Sequence, residues 1–253
     1  MQNIRMVDLK GQHESIKEEI KLEIDQVLNN TSFINGPAVN EFQKDLEKFN
    51  QVKHVIPCAN GTDALQIALM ALDLKPGDEV ITTDFTFIST IEVIALLRLK
   101  PVLVDIDINT FNLNTEHIKR AITNKTKVIL PVHIFGQVSD MEEIMKIARN
   151  NNIIVLEDNA QAIGAVYTNY KGKKVKSGAI GDISATSFFP SKNLGGYGDG
   201  GAIFTNNSLL EKKVRAIANH GMFKRYYHDY VGLNSRLDSI QAAILKVKLK
   251  YLD

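Results

Sequence analysis

Short apolar segments alternating with amphipathic ones predict an α/β fold, a largely parallel sheet covered by helices on both faces. Three observations carry that prediction. Seven short runs rich in Val and Ile are mostly apolar at every position, as strands buried between two helical layers are. Longer segments among them repeat apolar residues at helical spacing. Turn signals such as Pro76-Gly77-Asp78 separate the two kinds.

The strands are expected at His54 to Cys58, Val80 to Thr83, Val102 to Asp105, Val128 to His133, Ile153 to Glu157, Ala185 to Phe189 and Ala202 to Thr205. Helices are expected at Ile16 to Leu28, Val39 to Phe49, Thr62 to Leu72, Thr115 to Ile122, Met141 to Arg149 and Leu209 to Asn219. Leu237, Ile240, Ile244, Val247 and Tyr251 recur at helical spacing and predict one more. No internal repeat or low-complexity stretch is present.

The bulk numbers narrow the classes. A chain of 253 residues with 44% hydrophobic and 23% charged residues is an ordinary globular composition. The formal net charge of +1 gives no electrostatic case for nucleic acid or an anionic membrane. One cysteine, Cys58, excludes an intrachain disulfide and a cysteine-based zinc site. The six histidines show no paired spacing such as His-Glu-x-x-His, so no metal site is expected. No apolar run is long enough to span a bilayer, and the N-terminus lacks a signal-peptide pattern. The cytoplasm is the expected compartment.

Five places carry chemistry. Lys192 lies between a strand-like run and two glycine clusters, Gly195-Gly196 and Gly198-Asp199-Gly200-Gly201. A partly dehydrated amine there would have a lowered pKa and could attack a carbonyl. Alone, a surface lysine in a polar loop is the simpler reading. Asp158 follows a strand, at the end where open α/β sheets bind ligands. A helix-capping aspartate would look the same. Asn60-Gly61-Thr62-Asp63 joins a strand to a helix and could cradle a phosphate, or simply cap the helix. Phe87 at another strand end could stack on a flat ring, or belong to the core. Ser187 could add a phosphate hydroxyl, or be an ordinary strand serine. Together, in this order, these are the parts of a pyridoxal 5'-phosphate site, with a Schiff-base lysine and an acid for the ring nitrogen.

Several longer motifs then coincide: Cys58 through Leu65, Pro76 through Ile81, Phe135-Gly136-Gln137, Glu157 through Gln161, Ser187 through Gly201 and Gly232 through Asp238. On these, nearly the whole chain resembles the DegT/DnrJ/EryC1/StrS nucleotide-sugar aminotransferases. The resemblance implies the type I, aspartate aminotransferase-like fold. It implies Lys192 as Schiff-base lysine, Asp158 as pyridinium partner and Phe87 as ring-stacking aromatic. Gly61, Thr62 and Ser187 resemble phosphate ligands. Gln161 matches a residue near the cofactor's ring hydroxyl. Asn234 matches one that reaches the phosphate of a neighbouring subunit, which implies a homodimer with shared sites. Arg236 matches a contact for the sugar. Without the resemblance, Asn234 and Arg236 read as a helix cap and a surface arginine.

The implied reaction moves an amino group from glutamate to a keto-sugar nucleotide for surface-polysaccharide or glycan precursors. His220-Gly221 through His228 and Gly196 through Gly201 resemble members acting at C3 of UDP-linked 3-keto uronic acids. Acceptors of the dTDP-3-keto-6-deoxysugar or 4-keto type are the alternative, and a truncated, non-catalytic cofactor-binding fragment is another. Residues 1–30 are expected as an N-terminal helical segment, 31–236 as the large cofactor-binding domain, and 237–253 as the start of a helix leading to a small C-terminal domain that this chain lacks. Asn159 departs from the pattern, which has a small residue there. A dinucleotide oxidoreductase is disfavoured because no Gly-x-Gly-x-x-Gly follows the first strand. Dehydratase relatives carry histidine where Lys192 stands, so the lysine argues for amino transfer.

Overall fold

A computed structural model describes residues 6–252. In chain order the strands are β1 (His54–Cys58), β2 (Glu79–Thr82), β3 (Lys100–Leu103), β4 (Thr126–Ile129), β5 (Ile154–Asp158), β6 (Val166–Thr168), β7 (Lys174–Lys176), β8 (Ile183–Ser187), β9 (Gly201–Thr205), β10 (Met222–Lys224) and β11 (Tyr227–His228). The helices are α1 (Leu9–Asn29), α2 (Pro37–Asn50), α3 (Gly61–Met70), α4 (Ser89–Leu96), α5 (Thr115–Ala121), α6 (Met141–Asn151), α7 (Ser208–Ala218) and α8 (Ser239–Leu249).

All seven predicted strands enter one seven-stranded sheet, in the order β1-β9-β8-β5-β4-β2-β3. Only β9 runs against the rest, pairing antiparallel with β1 and β8. Neighbouring residues on a strand face opposite sides of a sheet, and the core divides accordingly. Val80, Val128, Leu156 and Ile203 pack beneath α3, α4 and α7. Ile81, Ile129 and Val155 pack beneath α5 and α6, and Phe204 beneath α2 and α8. Both faces of the central strands are covered, which is why they read as unbroken apolar runs rather than as alternations, while the edge strand β3 is part-exposed.

Where strand limits differ from expectation, the backbone explains it. Strand β4 ends at Ile129 rather than His133, because Pro131 lacks an N–H to extend the ladder. A lone bridge, Val132 to Asp158, resumes pairing beyond it. Strand β3 begins two residues early, at Lys100, and carries Pro101, which an edge strand tolerates. Helix α1 begins at Leu9 rather than Ile16, capped by Asp8, whose carboxylate accepts the Gly11 N–H at 2.9 Å.

Helix α4 fills a stretch where the sequence suggested no element. Its Thr90, Ile91, Val93 and Ile94 are β-branched and weak helix formers, and packing against α3 decides the outcome. The two-stranded ribbons β6–β7 and β10–β11 are equally unannounced. Helix α8 buries Ile244 and Val247 against Ile16 and Ile20 of α1. Leu237 is buried just ahead of α8, whereas Tyr251 beyond it is 57% exposed rather than part of the apolar face.

Candidate active site

The ends of β1, β2, β5 and β8 converge on one cavity of about 420 Å³. Its lining includes Gly61, Thr62, Phe87, Asp158, Gln161, Ser187 and Lys192. Seven of the nine residues singled out from the sequence therefore meet.

Asp158 closes strand β5 and is buried. Its main chain is pinned by the Asp158 N–H to Pro131 O bond at 2.9 Å and the His133 N–H to Asp158 O bond at 3.0 Å. Its Oδ2 accepts from the Thr90 hydroxyl at 2.8 Å and its Oδ1 from the Ala160 N–H at 3.2 Å. Burial pushes this carboxyl above the usual carboxylate range, against the pull of Thr90, Ala160, His133 and Lys192. The capping reading fails, since no helix begins here.

Lys192 is half-buried on a tight turn after β8. Its N–H bonds Phe189 O at 2.8 Å, and Gly196 N–H bonds Phe188 O at 2.8 Å. The turn requires glycine at 195, where a Cβ would stand 2.3 Å from Pro190 O. Burial draws the Lys192 amine below its ordinary value, while the Asp158 charge opposes the shift. The two groups thus line one cavity and sense each other's charge.

The start of helix α3 has the make-up of an anion-binding site. Asn60 caps it, with Oδ1 accepting the Asp63 N–H at 2.8 Å. The first-turn N–H groups of Gly61 and Thr62 have no acceptor within the helix and carry its positive dipole end. Ser187 stands against Gly61 so closely that a Cβ at 61 would lie 2.6 Å from the Ser187 Cβ. Only glycine permits that approach, and it brings the serine hydroxyl beside the helix start.

Phe87 is 66% exposed, so the core reading fails, and its ring borders the cavity. Gln161 is oriented by the Phe135 N–H, which its Oε1 accepts at 2.7 Å. Phe135 itself sits at φ 55°.

Asn234 and Arg236 are not among the residues lining this cavity. Asn234 is exposed and Arg236 half-buried. Ser235 between them is buried; it accepts the Ala59 N–H at 3.0 Å and donates to Asp63 at 2.6 Å. The segment is thereby fixed beside the start of α3, with Asn234 facing outward.

Three contributors escaped the sequence reading. Thr86 lines the cavity, Thr90 holds Asp158, and Ser235 ties two loops together. Thr86 lies in the bend before α4 and Thr90 in its first turn, so their contact is set by how the loop enters the helix and leaves no periodic signal in the sequence. His133 is buried and opposes Glu157 at 2.9 Å. Its Nδ1 accepts the Ser139 N–H at 3.2 Å, so the proton sits on Nε2 and is donated to Glu157. Burial raises the Glu157 carboxyl, but His133 and the amides of Gly181 and Gly178 outweigh it and leave it below the ordinary range. Among the described residues, no three His, Cys, Asp or Glu side chains are grouped to hold a metal. No described helix is long and apolar enough to cross a membrane.

Comparisons with known proteins agree with this geometry. The model of the DegT/DnrJ/EryC1/StrS aminotransferase family matches residues 14–253. A "Pleiotropic regulatory protein" of Geobacillus stearothermophilus is 49% identical over 99% of this chain and 66% of its own length. The UDP-2-acetamido-2-deoxy-3-oxo-D-glucuronate aminotransferase of Pseudomonas aeruginosa is 50% identical over 99% of this chain and 68% of its own. The crystal structure of ntda from Bacillus subtilis, with bound cofactor PMP, superposes with a TM-score of 0.90 at 35% identity, covering 100% of this chain and 57% of that one. The chain thus spans about two thirds of the length of the curated relatives named here. Its fold is that of the PLP aminotransferases. The chain belongs to the DegT/DnrJ/EryC1/StrS aminotransferase family.

Proposed function

We propose that this protein transfers the amino group of glutamate to a keto-sugar nucleotide, with a UDP-linked 3-keto sugar or uronic acid as acceptor. The observation that carries the reading is the meeting of Lys192, Asp158 and the Gly61–Thr62 cradle in one cavity. The similarity to the UDP-3-oxo-glucuronate enzyme supports the choice of acceptor.

The residues present suit pyridoxal 5'-phosphate. Gly61, Thr62 and Ser187 would hold its phosphate, Asp158 its ring nitrogen, Phe87 its ring face, Gln161 its ring hydroxyl and Lys192 its aldehyde carbon. When bound, the cofactor supplies an electron sink for a carbanion.

The chain's own groups do the rest. Asp158 holds a cationic nitrogen by charge, and such a contact in a partly dry site is worth several kcal/mol. Lys192, with its amine biased toward neutrality by burial, is the base that takes and returns a proton at Nζ. The N–H groups of α3 fix an anion, which sets the angle of whatever it is attached to. In this reading Asn234 acts on the neighbouring subunit's site in a homodimer, Arg236 contacts the sugar, and the enzyme works in the cytoplasm.

The test offers the protein glutamate, pyridoxal 5'-phosphate and either a UDP-3-keto-uronate or a dTDP-3-keto-6-deoxysugar. Mass spectrometry should find 2-oxoglutarate and an aminated UDP sugar in equal amounts. Turnover of the dTDP sugar alone would replace the acceptor. Bound cofactor with no amino transfer to either would overturn the proposed function.

A further inference from the structure

Asp158 does not meet the cavity unaided. Its Oδ2 accepts from Thr90, which is itself 2.8 Å from the Thr86 hydroxyl. Thr90 is fully buried and Thr86 borders the cavity. The direction of this chain follows from chemistry. Thr90 donates to Asp158 Oδ2, as it must in the ionised form that would partner a cationic nitrogen, since a carboxylate only accepts hydrogen bonds. The Thr90 hydroxyl has one proton, so the bond between the threonines is donated by Thr86. Thr86 then offers the cavity only acceptor lone pairs.

The groups around Asp158 leave this bond a distinct task. His133 and Lys192 are the charged or titratable groups that act on it. His133 is committed to Glu157 through Nε2, and Lys192 reaches Asp158 through charge alone, with no hydrogen bond between them. The Ala160 N–H serves the other oxygen at 3.2 Å. Thr90 is the side chain that donates a hydrogen bond to the acid.

We propose that Thr90 is a positioning residue, whose hydroxyl, oriented by Thr86, holds the Asp158 carboxylate in one rotamer and in its ionised form. The inference deepens the proposed cofactor chemistry and rests on it for its purpose, since a neutral or rotated Asp158 could not partner a cationic nitrogen.

The experiment separates the two ideas. Carboxyl titration of Asp158 is followed by NMR in protein labelled with ¹³C-aspartate and free of cofactor, with Asp158→Asn for assignment. Thr90→Val keeps shape and removes the hydroxyl. It should raise the Asp158 midpoint by about one pH unit, the size expected for one hydrogen bond to a charged group. Thr90→Ser should stay within about 0.3 unit of the parent, since the donor is kept. Thr86→Val, which removes only the orienting partner, should give about half the Thr90→Val shift and serves as the second reading should Thr90→Val not fold. Pyridoxal 5'-phosphate affinity should fall about tenfold in Thr90→Val, one unit of differential interaction. An unchanged midpoint in both valine variants, or a serine variant that behaves like valine, would overturn the role of Thr90. Parent protein that never binds the cofactor would overturn the proposed function while leaving the titration result standing.

Discussion

Asp158 shows at one residue how the proposed function and stability oppose each other. Its carboxyl is raised by burial, so the native state resists ionising it while the unfolded chain ionises it near the ordinary value of 3.8. Above that value the unfolded state binds fewer protons and gains, so the cofactor-free protein loses stability as pH rises towards the folded midpoint. Asp158→Asn keeps the shape and removes the charge. We expect it to raise the melting temperature of cofactor-free protein at pH 7 by about 2–4 °C, and the gain should shrink as pH falls towards 3.8. Calorimetry across pH checks this; a lower melting temperature at pH 7 would contradict it. Amino transfer by the same variant should drop by about a thousandfold, as a loss of several kcal/mol of charge stabilisation requires. Glu157 obeys the opposite sign. Its folded carboxyl lies below the ordinary range, so its contribution is present above that range and lost as pH falls through the folded value. Glu157→Gln should cost about 3–5 kcal/mol in denaturant unfolding at pH 7, because it breaks a fully buried network.

At the scale of elements, the cradle depends on how closely α3 approaches β8. Gly61→Ala places a methyl carbon against the Ser187 Cβ at 2.6 Å. The helix start must shift, which should cost about 1–3 kcal/mol of stability and weaken cofactor binding by about tenfold or more. Equilibrium dialysis of the variant measures the second figure; parent-like affinity would mean the cradle binds nothing. The loop that carries Asn234 hangs on Ser235, so Ser235→Ala, which strands the Ala59 N–H, should cost about 1–2 kcal/mol.

The same scale separates what the sequence revealed from what it hid. Strands buried on both faces announce themselves through apolar runs, and the central strands were legible for that reason; the edge strand β3 is part-exposed and was legible only from its Val and Leu residues. The residues at their ends were legible because Gly61, Asp158 and Lys192 sit at punctuation points where strand gives way to loop or helix. Helix α4 was not legible: its β-branched residues carry strand-like preference, and only packing against α3 overrides it. Thr90 disappeared with that helix, since a hydroxyl's partner across 68 residues of chain leaves no trace in local pattern. The His133–Glu157 pair was hidden likewise, its partners being 24 residues apart on adjoining strand ends.

For the whole molecule, the outward placement of Asn234 bears on how many chains make one site. Asn234 is exposed and not among the residues lining this chain's own cavity. If it serves a neighbour, Lys192→Ala and Asn234→Ala proteins, each inactive alone, should regain activity when refolded together, to about a quarter of the parent for random dimers with one intact site in two. No recovery from a demonstrated mixed dimer would contradict action across subunits. The account as a whole rests on one covalent assignment. Protein loaded with pyridoxal 5'-phosphate is reduced with borohydride, digested and mapped by mass spectrometry. The account predicts a phosphopyridoxyl mass on the peptide bearing Lys192 and on no other; label on a different lysine, or none despite bound cofactor, would contradict it.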